Sequence, residues 1–91
     1  MILISYDIQN DKLRTKFSKY IKKYGYRLQY SVFEITNSKN ILKNIMCEIT
    51  NMFEKKFGQG DSVMIIETSE NCKITKWGFP QNEENDIILI N

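Results

Sequence analysis

Residues 2–25, ILISYDIQNDKLRTKFSKYIKKYG, decide the fold. Their opening run, Ile2–Tyr6, is apolar and bounded by Asp7, the pattern of a fully buried strand. The spacing then changes to that of a helix. Asn10 or Asp11 is a candidate N-cap, and an acid there faces the positive end of the helix. Leu13, Phe17, Tyr20, Ile21 and Tyr24 repeat at i, i+4, i+7, i+8 and i+11 as one apolar stripe. Gly25 is the expected left-handed residue closing the helix, with Lys22 and Lys23 in its last turn.

Downstream, residues 27–35 alternate in polarity and read as strand, either one long strand or two short ones bent near Tyr30-Ser31. A second helix is expected over 38–57, capped by Ser38 and ended by Gly58. Its core stripe is Ile41, Leu42, Ile45, Ile49, Met52, Phe53 and Phe57. Gln59-Gly60-Asp61 reads as a turn, Ser62–Thr68 as a buried strand and Ile74–Phe79 as a further short strand. Pro80 and Gln81–Asp86 break the pattern before Ile87-Ile88-Leu89-Ile90, an apolar strand that must be covered by its own sheet or by another chain. Strand–helix–strands–helix–strand is the split βαβ order of an α+β, ferredoxin-like domain, with both helices on one face of a sheet.

Composition narrows the function. The 91 residues suit one domain spanning 1–91. At 42% hydrophobic and 26% charged, with one Pro and four Gly, the chain is of ordinary globular type. No apolar run is long enough to cross a membrane as a helix. The first residues lack a basic segment and meet an acid at Asp7, so a cytoplasmic location is expected. There is no His, which excludes Ser-His-Asp and Cys-His catalysis, and Cys47 and Cys72 form no CxxC pair. A chain of this size buries only about 60–65% of its unfolded surface, so self-association is expected to supply stability.

The net charge of +2 hides an asymmetry. Residues 1–35 carry seven Lys or Arg against three acids, a net +4, and all five tyrosines. Residues 36–91 carry six Lys against eight acids, a net −2. A basic, Tyr-rich half suits a polyanion such as nucleic acid, and equally suits a solvated helix face. Asp7, at the C-terminal end of the first strand, lies where α/β sheets bind ligands. One carboxylate is a poor Mg²⁺ site by itself, and a symmetric dimer joining two copies of Asp7 would complete one. The plainer alternative is that Asp7 caps a turn or the nearby helix.

Tyr6-Asp7-Ile8 at the strand end, Lys22-Lys23-Tyr24-Gly25 at the helix end and the string Arg27-Leu28-Gln29-Tyr30-Ser31-Val32-Phe33-Glu34 resemble the small CRISPR-associated endoribonuclease that accompanies the spacer integrase in CRISPR adaptation. Asp61 before an apolar strand fits the same pattern. The resemblance implies a ferredoxin-like homodimer in which each chain's terminal strand, about 86–90 here, joins the partner's sheet. It implies Mg²⁺ shared between two copies of Asp7, cleavage of single-stranded RNA or of duplex DNA, and a place between integrase dimers holding duplex protospacer DNA.

By position, Tyr6, Arg14, Arg27 and Phe33 correspond to residues linked to nuclease function in such proteins, and Asp7 to the metal ligand. Arg14, Lys16, Lys19, Lys23 and Arg27 are the expected nucleic-acid contacts. Some relatives carry Arg where this chain has Lys16, which keeps the charge for a phosphate and loses the bidentate fork. That departure bears on cleavage more than on DNA binding. On the residues alone, Phe33 falls on an alternating strand and reads as core or dimer interface, and Tyr6 as packing as much as function. Two functions follow: a metal-dependent nuclease, and a scaffold that clamps duplex DNA beside the integrase, the latter primary because no general base is apparent. A toxin-type ribonuclease dimer is the third reading.

Overall fold

The strand at residues 2–7 is the centre of the sheet, paired on both edges. A computed structural model describes residues 1–69 and 71–78. Within them β1 (Ile2–Asp7) is followed by α1 (Asp11–Ile21), β2 (Gly25–Gln29), β3 (Val32–Ile35), α2 (Lys39–Glu48), β4 (Ser62–Glu67) and β5 (Lys73–Gly78). The sheet order is β2-β3-β1-β4-β5, every neighbouring pair antiparallel. With β1 and β2 separated by β3 and linked through α1, this is α+β topology compatible with a ferredoxin-like fold. Residues 27–35 are divided between two strands, the chain turning at Tyr30-Ser31. The strand expected at Ile87–Ile90, and the break before it at Pro80 and 81–86, lie outside the described residues.

Both helices cover one sheet face. Ile2, Ile4 and Tyr6 of β1 enter the core with Phe33 and Ile35 of β3, Val63 and Ile65 of β4 and Trp77 of β5. Phe17 of α1 joins this layer to the second helical segment, meeting Tyr6 at 5.2 Å and Phe53 at 5.0 Å between ring centroids, both edge-on. Edge-on pairs of this kind each add about 0.5–1.5 kcal/mol to the area they bury. The other sheet face carries Leu3, Val32, Met64, Ile66 and Ile74, all only half-buried. β1 is therefore not buried on both faces as its apolar run suggests, because no helix among the described residues lies over Leu3 and Ser5.

Helix boundaries follow side-chain chemistry. Asn10 is the N-cap of α1, its Oδ1 accepting from the Leu13 N–H at 2.9 Å, which is worth about 1 kcal/mol. Ser38 caps α2 in the same way through Ile41. Gly25 does not close α1 in a left-handed conformation; it opens β2, and a Cβ there would lie 2.0 Å from the Glu34 carbonyl oxygen. Close strand approach, not turn geometry, requires this glycine.

The regular part of the second helix is shorter than expected. After Glu48 the helix widens into a π turn over Ile49–Phe53, tightens into a 3-10 turn over Glu54–Lys56, and Phe57 is extended. Ile45, Ile49, Phe53 and Phe57 step by four residues, more than the 3.6 of a regular helix, and the wide turn keeps all four buried. The same widening turns Met52, expected in the core, out to 44% exposure. Gly58 lacks a left-handed backbone; its N–H donates to Asp61 Oδ2 at 2.8 Å instead. No helix among the described residues is long and apolar enough to cross a membrane.

Candidate functional site

The segment between β1 and α1 is held from two sides. Asp61, just before β4 and only 4% exposed, accepts from the Gln9 N–H and the Gly58 N–H, each at 2.8 Å. From the α1 side, Arg14 donates through Nη1 to the carbonyl oxygens of Ile8 at 3.0 Å and Gln9 at 3.4 Å. Its Nη2 pairs with Asp11, and that hydrogen bond chiefly raises the guanidinium above its ordinary pKa. Gly78 closes against this corner at φ +94°, where a Cβ would lie 2.2 Å from the Asp61 carbonyl oxygen. A turn acid thus serves as a fastener for the Asp7 loop.

Asp7 itself is the last residue of β1, paired with Ser62 across the sheet and exposed. Alternation along β1 places it on the face opposite Tyr6, with Leu3 and Ser5. Its Oδ1 accepts from Gln9 Nε2 at 3.0 Å, and Oδ2 has no partner among the described residues. A hard, exposed oxygen donor fits Mg²⁺, which takes one or two carboxylates and fills its shell with water and phosphate oxygens. No cluster of three His, Cys, Asp or Glu that could hold a metal exists among the described residues. One chain therefore offers a single ligand rather than a cage.

On the face opposite Asp7, an open groove runs between α1 and β2, lined by Tyr6, Arg14, Ser18, Lys19, Arg27 and Tyr30. Arg27 lies across its floor, with Cζ 5.2 Å from the Phe33 ring centre and Nη2 donating to Ser18 Oγ at 2.9 Å. It has no carboxylate partner among the described residues, so most of its five donors remain available. Tyr6 is 5% exposed and packs on Phe17 and, at 6.1 Å, on Phe33. Phe33 has no exposed surface and supports Arg27 from beneath.

The structure thus brings Tyr6, Arg14, Lys19 and Arg27 together, while Asp7, next to Tyr6 in the chain, stands on the opposite sheet face and does not line the groove. Lys16 stands apart, on the opposite flank of α1 next to Lys56. Lys23, just beyond α1, is exposed and does not line the groove. Sequence reasoning missed Thr15, Ser18, Lys22 and Tyr30 in the groove, and it did not place Lys55 and Lys56 beside Lys16. A count of charge by halves had placed those two lysines in an acidic region.

The family model described as "CRISPR associated protein Cas2" matches residues 1–75. The chain belongs to the Cas2 family. Among its relatives is the CRISPR-associated endoribonuclease Cas2 2 of Methanospirillum hungatei, 30% identical over 90 residues and 97% of each chain. The CRISPR-associated endoribonuclease Cas2 3 of Synechocystis is 30% identical over 82 residues, 88% of this chain and 86% of the relative. The CRISPR-associated endoribonuclease Cas2 4 of Rhodospirillum rubrum is 39% identical over 70 residues, 77% of this chain and 54% of the relative. No solved structure matches the chain. The Cas2 match ends at residue 75, so the β1–α1 corner, the groove and the Lys55–Lys56 pair all lie inside it.

Proposed function

We propose that this Cas2-family chain acts in CRISPR adaptation as a homodimeric scaffold that holds duplex protospacer DNA beside the spacer integrase. We further assign it a secondary, Mg²⁺-dependent endoribonuclease activity on single-stranded RNA. The observation that carries this reading is the exposed Asp7 carboxylate at the end of the strand whose Tyr6 lines the groove, where the Arg27 guanidinium has no counter-charge among the described residues. Backbone phosphates supply that counter-charge, and such contacts are indifferent to base sequence.

Dimerisation is supported by the sheet face that no helix among the described residues covers. Leu3, Val32, Met64, Ile66 and Ile74 form an apolar surface at whose end Asp7 sits. Two such faces joined about a two-fold axis near that end bring two carboxylates towards one another. The tail Ile87–Ile90 is assigned to the partner's sheet on its sequence alone. Asp7 from each chain would hold Mg²⁺, which when bound stabilises charge on a scissile phosphate and lowers the pKa of a bound water. Arg27 and Lys19 bind and orient the phosphates, Phe33 fixes the plane of Arg27, and Asp61 and Arg14 hold the loop behind Asp7.

The test is Asp7→Asn, assayed for RNA cleavage and for spacer integration with the partner enzyme. Asn keeps the size and the contact with Gln9, so fold and dimer persist, cleavage is lost and integration is retained. Undiminished cleavage would assign the nuclease to another site. Loss of integration by an intact dimer would overturn the division between scaffold and enzyme.

A further inference from the structure

Helix α1 is basic on both flanks, and only one flank belongs to the groove described above. On the other flank Lys12 and Lys16 line a shallow cavity with Asn10, Leu13 and Lys56. A second cavity beside it is lined by Lys16, Lys55 and Lys56 against Met52 and Phe53. All four lysines are exposed, and none forms an ion pair among the described residues. Asp11, the acid on the same ridge, is committed to Arg14.

The path of the chain creates this convergence. In a regular helix residue 56, seven places after Ile49, would continue the buried stripe. The π turn and the tight turn after it give that place to Phe57 and leave Lys56 on the surface opposite Lys16. Lys56 is held below the ordinary lysine value chiefly by the Lys16 ammonium facing it, with burial and Lys55 contributing less. Two cations facing each other without an acid between them are in a configuration that an anion relieves.

We propose that Lys12, Lys16, Lys55 and Lys56 form a second phosphate-binding site, which takes successive backbone phosphates of a nucleic acid on the flank of α1 away from Arg27. The nucleic-acid source rests on the function proposed above; the phosphate chemistry stands on the lysines themselves. The exposed ridge of Lys12, Lys16 and Lys19 joins this site to the groove, so one polyanion can follow both. Lysines act as point charges without a planar fork, which suits the tracking of a backbone rather than the reading of bases.

The double variant Lys55→Gln/Lys56→Gln tests this, with Lys43→Gln on exposed α2 surface as the control for net charge. For wild-type duplex binding measured against salt, each phosphate contact contributes about 0.9 to the log–log slope. The double variant is expected to lose roughly two units of slope per chain, Arg27→Ala about one, and the two losses to add. Lys43→Gln leaves the slope unchanged. Inorganic pyrophosphate, followed by NMR on the intact protein, is expected to shift Lys16 and Lys56 and to release the depression of the Lys56 pKa.

An unchanged slope in a folded double variant, with pyrophosphate shifting neither lysine, overturns the site. A wild-type protein that fails to bind duplex, while pyrophosphate still shifts Lys16 and Lys56, keeps the phosphate site and overturns its nucleic-acid source together with the function proposed above. A slope lost equally in Lys43→Gln reduces the effect to net charge and also overturns the site.

Discussion

Asp7 and Asp61 flank the same loop from adjoining strands and have opposite fates. Asp61 is 4% exposed and accepts from two backbone N–H groups, one of them 52 residues away in sequence. Asp7 is exposed and, among the described residues, accepts only from the side-chain amide of Gln9. A carboxylate whose oxygens are filled by the fold contributes stability; one whose oxygens are left open has capacity for a metal or a substrate. Being at a sheet end is common to both, so position alone does not mark a site. Unused coordination does.

Substitutions that exchange these fates give the largest effects. Asp7→Ala should lower RNA cleavage on the order of 10³-fold, since metal-supplied charge stabilisation is worth several kcal/mol at about 1.4 kcal/mol per tenfold. The same variant should shift stability by no more than about 0.5 kcal/mol, as expected for an exposed position. Single-turnover cleavage paired with thermal unfolding checks both halves. A large fall in melting temperature would show that Asp7 is structural like its neighbour.

Asp61→Ala should do the reverse. It strands the Gln9 and Gly58 N–H groups at a cost of about 2–4 kcal/mol, or roughly 10–25 °C in melting temperature for a domain of this size. Calorimetry gives the number directly. Cleavage measured well below the new melting temperature tells whether the loop behind Asp7 needs this fastener.

The two groove arginines sharpen the contrast on a smaller scale. Arg14 is occupied by Asp11 and two carbonyl oxygens, so Arg14→Ala should lower stability measurably. Arg27→Ala should leave stability within about 0.5 kcal/mol and weaken duplex binding in a salt-dependent manner. Equal losses of affinity in both variants, with stability untouched, would mean that Arg14 leaves its internal partners when nucleic acid binds.

Tyr20 gives the smallest effect and a pH signature. Its hydroxyl donates to Glu48 Oε1 at 2.6 Å, and burial, then that hydrogen bond, raise its pKa above the ordinary value. A phenol harder to ionise in the folded state contributes stability that is complete below about pH 10, the unfolded tyrosine value, and is lost as pH rises beyond it. Tyr20→Phe should cost about 1 kcal/mol at neutral pH and flatten the alkaline decline in a urea-unfolding series. An unaltered alkaline limb in the variant would place the titrating group elsewhere.

Much of the fold was legible because it rests on local chemistry. The Asn10 and Ser38 caps, the stripe from Leu13 to Ile21 and the apolar run of β1 each follow from spacing within one segment. What escaped depends on distant partners. Gly25 looked like a helix terminator until β3 lay against it, and Met52 looked like core until the π turn changed the phase. Within the candidate site, Asp7, Arg14, Arg27 and Phe33 were named through family resemblance, while the support of Arg27 by Phe33 required the pairing of β2 with β3, and the role of Asp61 that of β1 with β4. Lys55 and Lys56 escaped because charge summed along a chain does not register which helix a side chain will face.

The central place of β1 bears on how the protein is made. It leaves the ribosome before either of its partners, since its two hydrogen-bonding edges are closed by residues 32–35 and 62–67. At ~5–20 residues per second, the second edge stays open for several seconds after the strand emerges. Throughout that interval Ile2–Ile4 presents an unpaired, apolar ribbon able to pair with another nascent chain. Synonymous codons that slow translation between residues 36 and 62 should therefore lower soluble yield without altering the purified protein.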